Sequence, residues 1–319
     1  MYDLIGDIHG HATELEQILR ELGYARRNGA HQRSDRKVVF LGDFIDRGPQ
    51  IRETLEIVRP MVDGGHALAV MGNHEFNAIA YAAPDPRKNG DFIRPHSEKN
   101  QRQHRETLRQ MIGHEAEWHS YLNWFRSLPM WLDLGGVRAV HACWDETRMA
   151  VVGGATGPID EAFLERFSAD SSFGRAVDVI LKGKEMKLPA GCCFLDKDGH
   201  ERTETRTRWF EPAEGRSYRE YALIGEDREN PAAIKGDRWH EPVSPDIVND
   251  AVPYPADQIP VFIGHYWLDG KMPRRQTANV ACLDWSVAKG GFLCGYEWNG
   301  EATVSDAAFR RVAAAGSKP

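Results

Sequence analysis

Three features of this sequence predict an α/β fold. Residues 1–82 alternate between short apolar runs and amphipathic stretches in the order strand, helix, strand, helix, strand, helix. Apolar runs return near the C-terminus in IPVFIGHYW, NVACLDWSV and GGFLCGYEWNG. Finally, 319 residues at 41% hydrophobic content provide a core for one large domain, or for a domain with a sizeable insertion.

The elements follow in order. Strand 2–6 leads into GDIHGH. Helix 13–23 carries Leu15, Ile18, Leu19 and Leu22 at i, i+3, i+4 and i+7, and Thr13 with Glu16 has the spacing of a capping box. Strand 37–42, helix 50–62, strand 67–71 and helix 74–82 complete the alternation. From APDPRKNGDFIRPHSEKNQRQHRETLRQM the chain turns polar, until Trp118, Tyr121, Leu122 and Phe125 restore helical spacing, so about 84–128 is expected to be a helical insertion. GGVRAVHA reads as a core strand ending in histidine. Between about 145 and 256 the pattern loosens, with helices expected near 159–168 and 173–182 and a Gly-, Pro-, Arg- and Trp-rich stretch that includes RTETRTRWFEP. This region is expected to form a cap or lid. The last strands pair across a turn at Ala288–Gly291, and the terminal AAAGSKP is expected to fray.

Composition narrows the classes. The five cysteines, Cys143, Cys192, Cys193, Cys282 and Cys294, are odd in number and contain no CxxC pair, which argues against a disulfide framework or a thiolate zinc site. A formal charge of −7 does not indicate nucleic-acid binding through a basic face. No basic segment followed by an apolar one opens the chain, and no apolar run approaches the roughly 18 residues of a membrane span. A soluble, cytoplasmic protein is expected, with no membrane contact; oligomeric state is not legible.

The strand ends carry the chemistry. GDIHG, GDFIDRGP, GNHE, VHA and IGHY each place carboxylate, amide or imidazole groups just after a strand, where ligands gather in open α/β sheets. Asp7 and His9 are two apart on a segment read as extended, so their side chains are expected on one side. Asp43 and Asn73 follow glycines at equivalent turns. Such donors suit borderline divalent ions rather than thiolate-loving or all-oxygen sites. If two ions sit about 3.5–4 Å apart, one carboxylate bridges them and a bridging hydroxide attacks phosphorus in line. Asp43 is the expected bridge. His11 is read as a local hydrogen-bonding group, and His31, His66, His104, His114 and His119 as solvated side chains without partners.

This ordered series resembles the calcineurin-like metallophosphoesterase superfamily, and DRG with NHE is most similar to its serine/threonine phosphatase (PPP) branch, near bacterial diadenosine tetraphosphatase-type members. The resemblance covers 1–82, 129–145 and 258–300 of a single 1–319 domain and leaves the insertions at about 84–128 and 145–256 unmatched. It implies a four-layer αββα sandwich with cap insertions, and a metal held by Asp7, His9 and the bridging Asp43. A second metal would be held by Asp43, Asn73, His141 and His265. Manganese is the first expectation for both ions, with iron or zinc as alternatives. His74 would protonate the leaving oxygen, with Asp46 orienting it, and Arg47 would clamp the phosphate. The second phosphate-binding cation has no motif; Lys182, Lys184, Arg206 and Arg208 are candidates.

The sequence departs from many relatives at His141-Ala142-Cys143, where they carry HGG or HGH. It also lacks a second histidine two positions after His265, as a PPP-like first metal site would. The implied function is metal-dependent phosphoester hydrolysis of a phosphoprotein, nucleotide or small phosphoester. Dinucleoside polyphosphate hydrolysis is the alternative, and a non-catalytic scaffold of the same fold the third reading.

Overall fold

The computed structural model describes residues 1–154, 158–168, 170–195, 199–224 and 234–315. The first half runs β1 (Tyr2–Ile5), α1 (Ala12–Glu21), β2 (Ala25–Arg27), β3 (Ala30–Gln32), β4 (Lys37–Phe40), α2 (Ile51–Asp63), β5 (Ala67–Ala69) and α3 (Asn73–Ala82). The insertion contributes α4 (Glu98–Gln110) and α5 (Glu115–Arg126). There follow β6 (Trp131–Asp133), β7 (Arg138–Val140), α6 (Glu146–Val152), α7 (Glu161–Arg166) and α8 (Ser172–Lys182). The irregular region holds β8 (Glu185–Lys187), β9 (Cys193–Leu195), β10 (Glu201–Arg202), β11 (Glu204–Arg206), α9 (Tyr218–Tyr221), β12 (Ile234–Lys235) and α10 (Pro245–Asp250). The chain closes with β13 (Val261–Ile263), β14 (Val280–Cys282), β15 (Asp284–Trp285), β16 (Phe292–Trp298) and β17 (Phe309–Ala313).

Two sheets form the centre. One has the order β15-β16-β1-β4-β5, with β17 also paired to β16; the other has the order β14-β13-β7-β6. β1, β4 and β5 are parallel, and β7, β13 and β14 are parallel. Side chains alternate as strand geometry demands. Leu4, Val39 and Leu41 pack with Ala139, Phe262 and Ala281 between the sheets. Ile5, Val38 and Phe40 face the other way, onto Leu15, Ile18 and Leu19 of α1 and the neighbouring helices. Each of those α1 side chains is fully buried, worth about 1.5–3 kcal/mol of apolar transfer. The layers are therefore helix, sheet, sheet, helix, as expected.

Several expectations are corrected. Helix α1 begins one residue earlier than read, at Ala12, and its N-cap His11 makes no side-chain cap bond. Thr13 is engaged instead with Gln50, through both its backbone N–H and its hydroxyl, so the predicted capping box does not form. The hairpin of β2 and β3, the short α6 and the terminal β17 are additions to the expected elements. Ala313, inside AAAGSKP, ends β17 rather than fraying, while residues 316–319 lie outside the described residues. The 145–256 region is not loose throughout: Met186, Phe194, Tyr218, Tyr221 and Trp239 make a small core of their own. The five cysteines are free, four of them buried. Among the described residues no helix is long and apolar enough to cross a membrane.

Candidate metal centre and active-site cleft

Parallel register brings the loops together. Ile5 pairs with Phe40 and Phe40 with Ala69, so the loops after β1, β4 and β5 leave the sheet side by side. His141 and His265 follow the ends of β7 and β13, adjacent strands of the second sheet. The loops are tight. Among the described residues, His9, Asp43, Asp46, Arg47, His265 and Trp267 all adopt positive φ, a conformation L side chains hold only when their surroundings enforce it. For His9 this corrects the expected extended geometry: β1 ends at Ile5, and at His9 φ is 46°.

Asp43 is the hub. Its Oδ2 lies 3.6 Å from His9 Nε2, 3.4 Å from His141 Nε2 and 3.9 Å from His74 Nε2. Its Oδ1 accepts the backbone N–H of His74 at 3.0 Å. His9 Nδ1 donates to the carbonyl of Ile45 at 2.9 Å and His141 Nδ1 to that of Leu41 at 2.6 Å. These outer bonds set the tautomers and aim both Nε2 atoms inward, as imidazoles that ligate a metal are held. Asn73 Oδ1 sits 3.1 Å from His141 Nε2. Asp7 stands beside this group, its two oxygens accepting the backbone N–H of His265 at 3.2 and 3.0 Å.

The residues fit divalent cations. His9 Nε2 and both ring nitrogens of His265 are buried without a hydrogen-bond partner, a condition native interiors rarely leave uncompensated. Two sets of three donors, His9-Asp43-His74 and Asp43-His141-His265, have their atoms within 4.8 Å of one another, and Asp43 belongs to both. Burial, reinforced by the charges of Asp284 and Asp43, pushes the Asp7 acid well up. Burial likewise takes His9 down to about 3. At His141 burial pulls down, but the Asp43 carboxylate wins and takes the imidazole up to about 10. A cation would relieve the crowding of Asp7 and Asp43 and find the His9 imidazole already unprotonated.

Two further buried carboxylates brace these loops. Glu75, the last residue of GNHE, accepts the backbone N–H groups of Asp43, Phe44 and Gly72 at 2.8, 2.8 and 3.0 Å. Its burial and the nearby Asp43 charge push its acid up to about 7. Asp284 accepts from the backbone of Trp267 at 2.6 Å and of Ser286 at 3.0 Å. Glycine is demanded where these loops cross: a Cβ on Gly264 would stand 2.0 Å from Asp7 Oδ1. Gly264→Ala is therefore expected to displace Asp7 and weaken divalent-ion binding by roughly 10- to 100-fold. Calorimetric titration with manganese checks this; unchanged affinity would refute it.

A cleft of about 1350 Å³ opens beside the donors. His74 Nδ1 donates to Asp46 Oδ2 at 2.5 Å, the expected pairing of an imidazole with an orienting carboxylate. Burial alone would raise the Asp46 acid, but hydrogen bonds from His104 and His74 hold it far below the usual carboxylate range. His104 is thus no solvated histidine: it is buried, with Nδ1 2.7 Å from Asp46 Oδ1, because α4 packs over this loop. His11, by contrast, bonds locally, as read, to the carbonyls of Ile8 and His9. The Arg47 guanidinium lies 4.0 Å over the Trp267 ring.

Of the four candidate cations, Arg206 and Lys182 line the cleft, and Lys184 and Arg208 do not. Lys184 is buried against Asp145 at 2.8 Å and the Asp250 carbonyl at 2.7 Å, a structural pairing that corrects its reading as a phosphate contact. Lys182 is paired with Asp178 at 2.6 Å. Arg206 Nε is buried without a partner beside the donors.

The family model for calcineurin-like phosphoesterases matches residues 2–181, more than half of the sequence. The chain belongs to that family. The asymmetrical bis(5'-nucleosyl)-tetraphosphatase PrpE of Oceanobacillus iheyensis is 44% identical over 73 residues, 23% of this chain and 29% of the relative. The symmetrical bis(5'-nucleosyl)-tetraphosphatase of Aromatoleum aromaticum is 31% identical over 140 residues, 43% of this chain and 42% of the relative. The chain thus spans under a third of the first and under half of the second. A solved cold-active protein-tyrosine phosphatase of a psychrophilic Shewanella superposes with a TM-score of 0.47 at 16% identity, covering 98% of this chain and 80% of that one.

Proposed function

We propose that this protein hydrolyses phosphate esters at a dinuclear divalent-metal centre within a single 1–319 domain, in the manner of PPP phosphatases. The observation that carries the reading is the shared Asp43: one carboxylate belongs to two donor sets, and a carboxylate-oriented imidazole stands within 3.9 Å of it. Asp7, His9 and Asp43 would hold one ion, and Asp43, Asn73, His141 and His265 the other, with manganese first and iron or zinc as alternatives. Two such ions would supply Lewis acidity to the phosphoryl group and to the attacking water. The chain supplies the rest. Arg47, stacked on Trp267, presents a fixed planar fork to phosphate oxygens, and Arg206 approaches from the opposite insertion. His74, with its Nδ1 proton committed to Asp46, turns Nε2 toward the leaving oxygen and donates a proton there, which leaves the imidazole neutral.

Manganese-loaded protein is expected to turn over p-nitrophenyl phosphate and to lose that activity in EDTA, with recovery on adding manganese back. Metal analysis should find two ions per chain. No bound metal and no turnover across several divalent ions would sink the reading.

Dinucleoside polyphosphate hydrolysis is the second reading. It is favoured by the names of the partial relatives and by a cleft with room beyond a single phosphoryl group. Parallel assays on phosphopeptides and on diadenosine tetraphosphate separate the two.

A further inference from the structure

We propose that His104, on the inserted helix α4, is a positioning residue for proton delivery: its Nδ1–H holds the second oxygen of Asp46 and thereby fixes the His74 imidazole. The inference rests on the phosphoester-hydrolase reading of this site.

A carboxylate that orients an imidazole through one oxygen is free to rotate about its Cβ–Cγ bond unless the other oxygen is tied. Here it is tied twice. Asp46 Oδ1 accepts from His104 Nδ1 at 2.7 Å and from the hydroxyl of Thr107 at 2.6 Å, while Thr107 Oγ1 accepts the Asp46 backbone N–H at 3.0 Å. That last bond directs the hydroxyl proton away from the backbone and onto the carboxylate. The opposite oxygen makes the 2.5 Å contact to His74 Nδ1. The result is a chain, His104 to Asp46 to His74, in which Asp46 serves as acceptor at both ends and His74 keeps Nε2 toward the site.

His104 is buried among neighbouring helices. Its ring lies 5.3 Å from that of Tyr81 and 5.8 Å from that of Trp118, on α3 and α5. Helix α4 is also fastened to the same loop one turn on, where Gln110 accepts the N–H of Ile51 at 2.7 Å and donates to the carbonyl of Gly48 at 3.0 Å. The 104 position is three residues before Thr107, so the two side chains share one face. Asp46 itself has a positive φ of 67°, a strained backbone that these bonds hold in place.

The test uses the manganese-loaded full chain and two esters. Phenyl phosphate has a leaving group that needs a proton, whereas 2,4-dinitrophenyl phosphate has one that does not. His104→Ala is expected to lower kcat for phenyl phosphate by roughly 10- to 100-fold with KM unchanged, and for the dinitrophenyl ester by less than about threefold. His104→Asn, whose amide N–H overlays Nδ1–H, should restore phenyl phosphate turnover to within about threefold of wild type. Equal losses on both esters, or none on either, would overturn the proposal. A second readout does not depend on turnover: in metal-free protein the His74 Nδ1 proton should resonate far downfield of the amides in the NMR spectrum. It should move upfield in His104→Ala, and an unmoved resonance would overturn the proposal. If wild type hydrolyses neither ester, the hydrolase reading fails while the resonance still decides the role of His104.

Discussion

Asp43→Asn is expected to lower kcat/KM by roughly 10³-fold or more, about 4 kcal/mol, because one substitution weakens both donor sets at once. An amide offers one acceptor oxygen where the carboxylate offers two charged ones. Metal analysis should show the second ion lost along with activity. Retention of two ions with near-normal turnover would remove Asp43 from the centre of the site. The same substitution has a signature without metal. Asp43 raises His141 from 6.5 to about 10 against the effect of burial, so in the folded protein the imidazolium is stabilised. A raised folded value contributes stability that is complete below about 6.5 and is lost as pH climbs through about 10. Urea unfolding in chelator should therefore show wild type exceeding the variant most near pH 6, with the gap narrowing toward pH 10. A gap that widened with pH would contradict the pairing.

His74→Asn is expected to reduce kcat by about 10²- to 10⁴-fold, the range for loss of a general acid. It also separates two roles that geometry sets side by side, since His74 Nε2 approaches Asp43 as closely as a ligand would, at 3.9 Å. An acid keeps two ions bound after replacement and loses most on substrates with poor leaving groups. A ligand loses an ion. The Nδ1 bond to Asp46 favours the former, and metal stoichiometry measured beside the leaving-group dependence decides it.

What the sequence made legible is the part where local pattern and chemistry coincide. Leu15, Ile18 and Leu19 mark the buried face of α1, and GDIHG, GDFIDRGP and GNHE mark the turns that follow β1, β4 and β5. What stayed hidden depended on contacts distant in sequence. Helix α4 reads as polar, and its buried residues near the loop are His104 and Thr107, which no hydrophobic periodicity reveals. Thr13 has the spacing of a cap, yet Gln50, 37 residues away, claims it. Lys184 and Arg206 look alike in a basic, irregular stretch, and only folding sends one to Asp145 and the other to the cleft. The strands β8 to β12 are two or three residues long, too short for a period of two to declare itself.

The fastening of α4 bears on how this protein could be trimmed. Its helices at 98–126 resemble a removable appendage, and a designer seeking a minimal catalyst would cut there first. Excising them would unbolt the DRG turn at three points, leaving Asp46, Gly48 and Ile51 without the braces that Thr107 and Gln110 provide. The shortened chain would keep His74 and lose what holds Asp46 against it, so the architecture forbids shortening from this side.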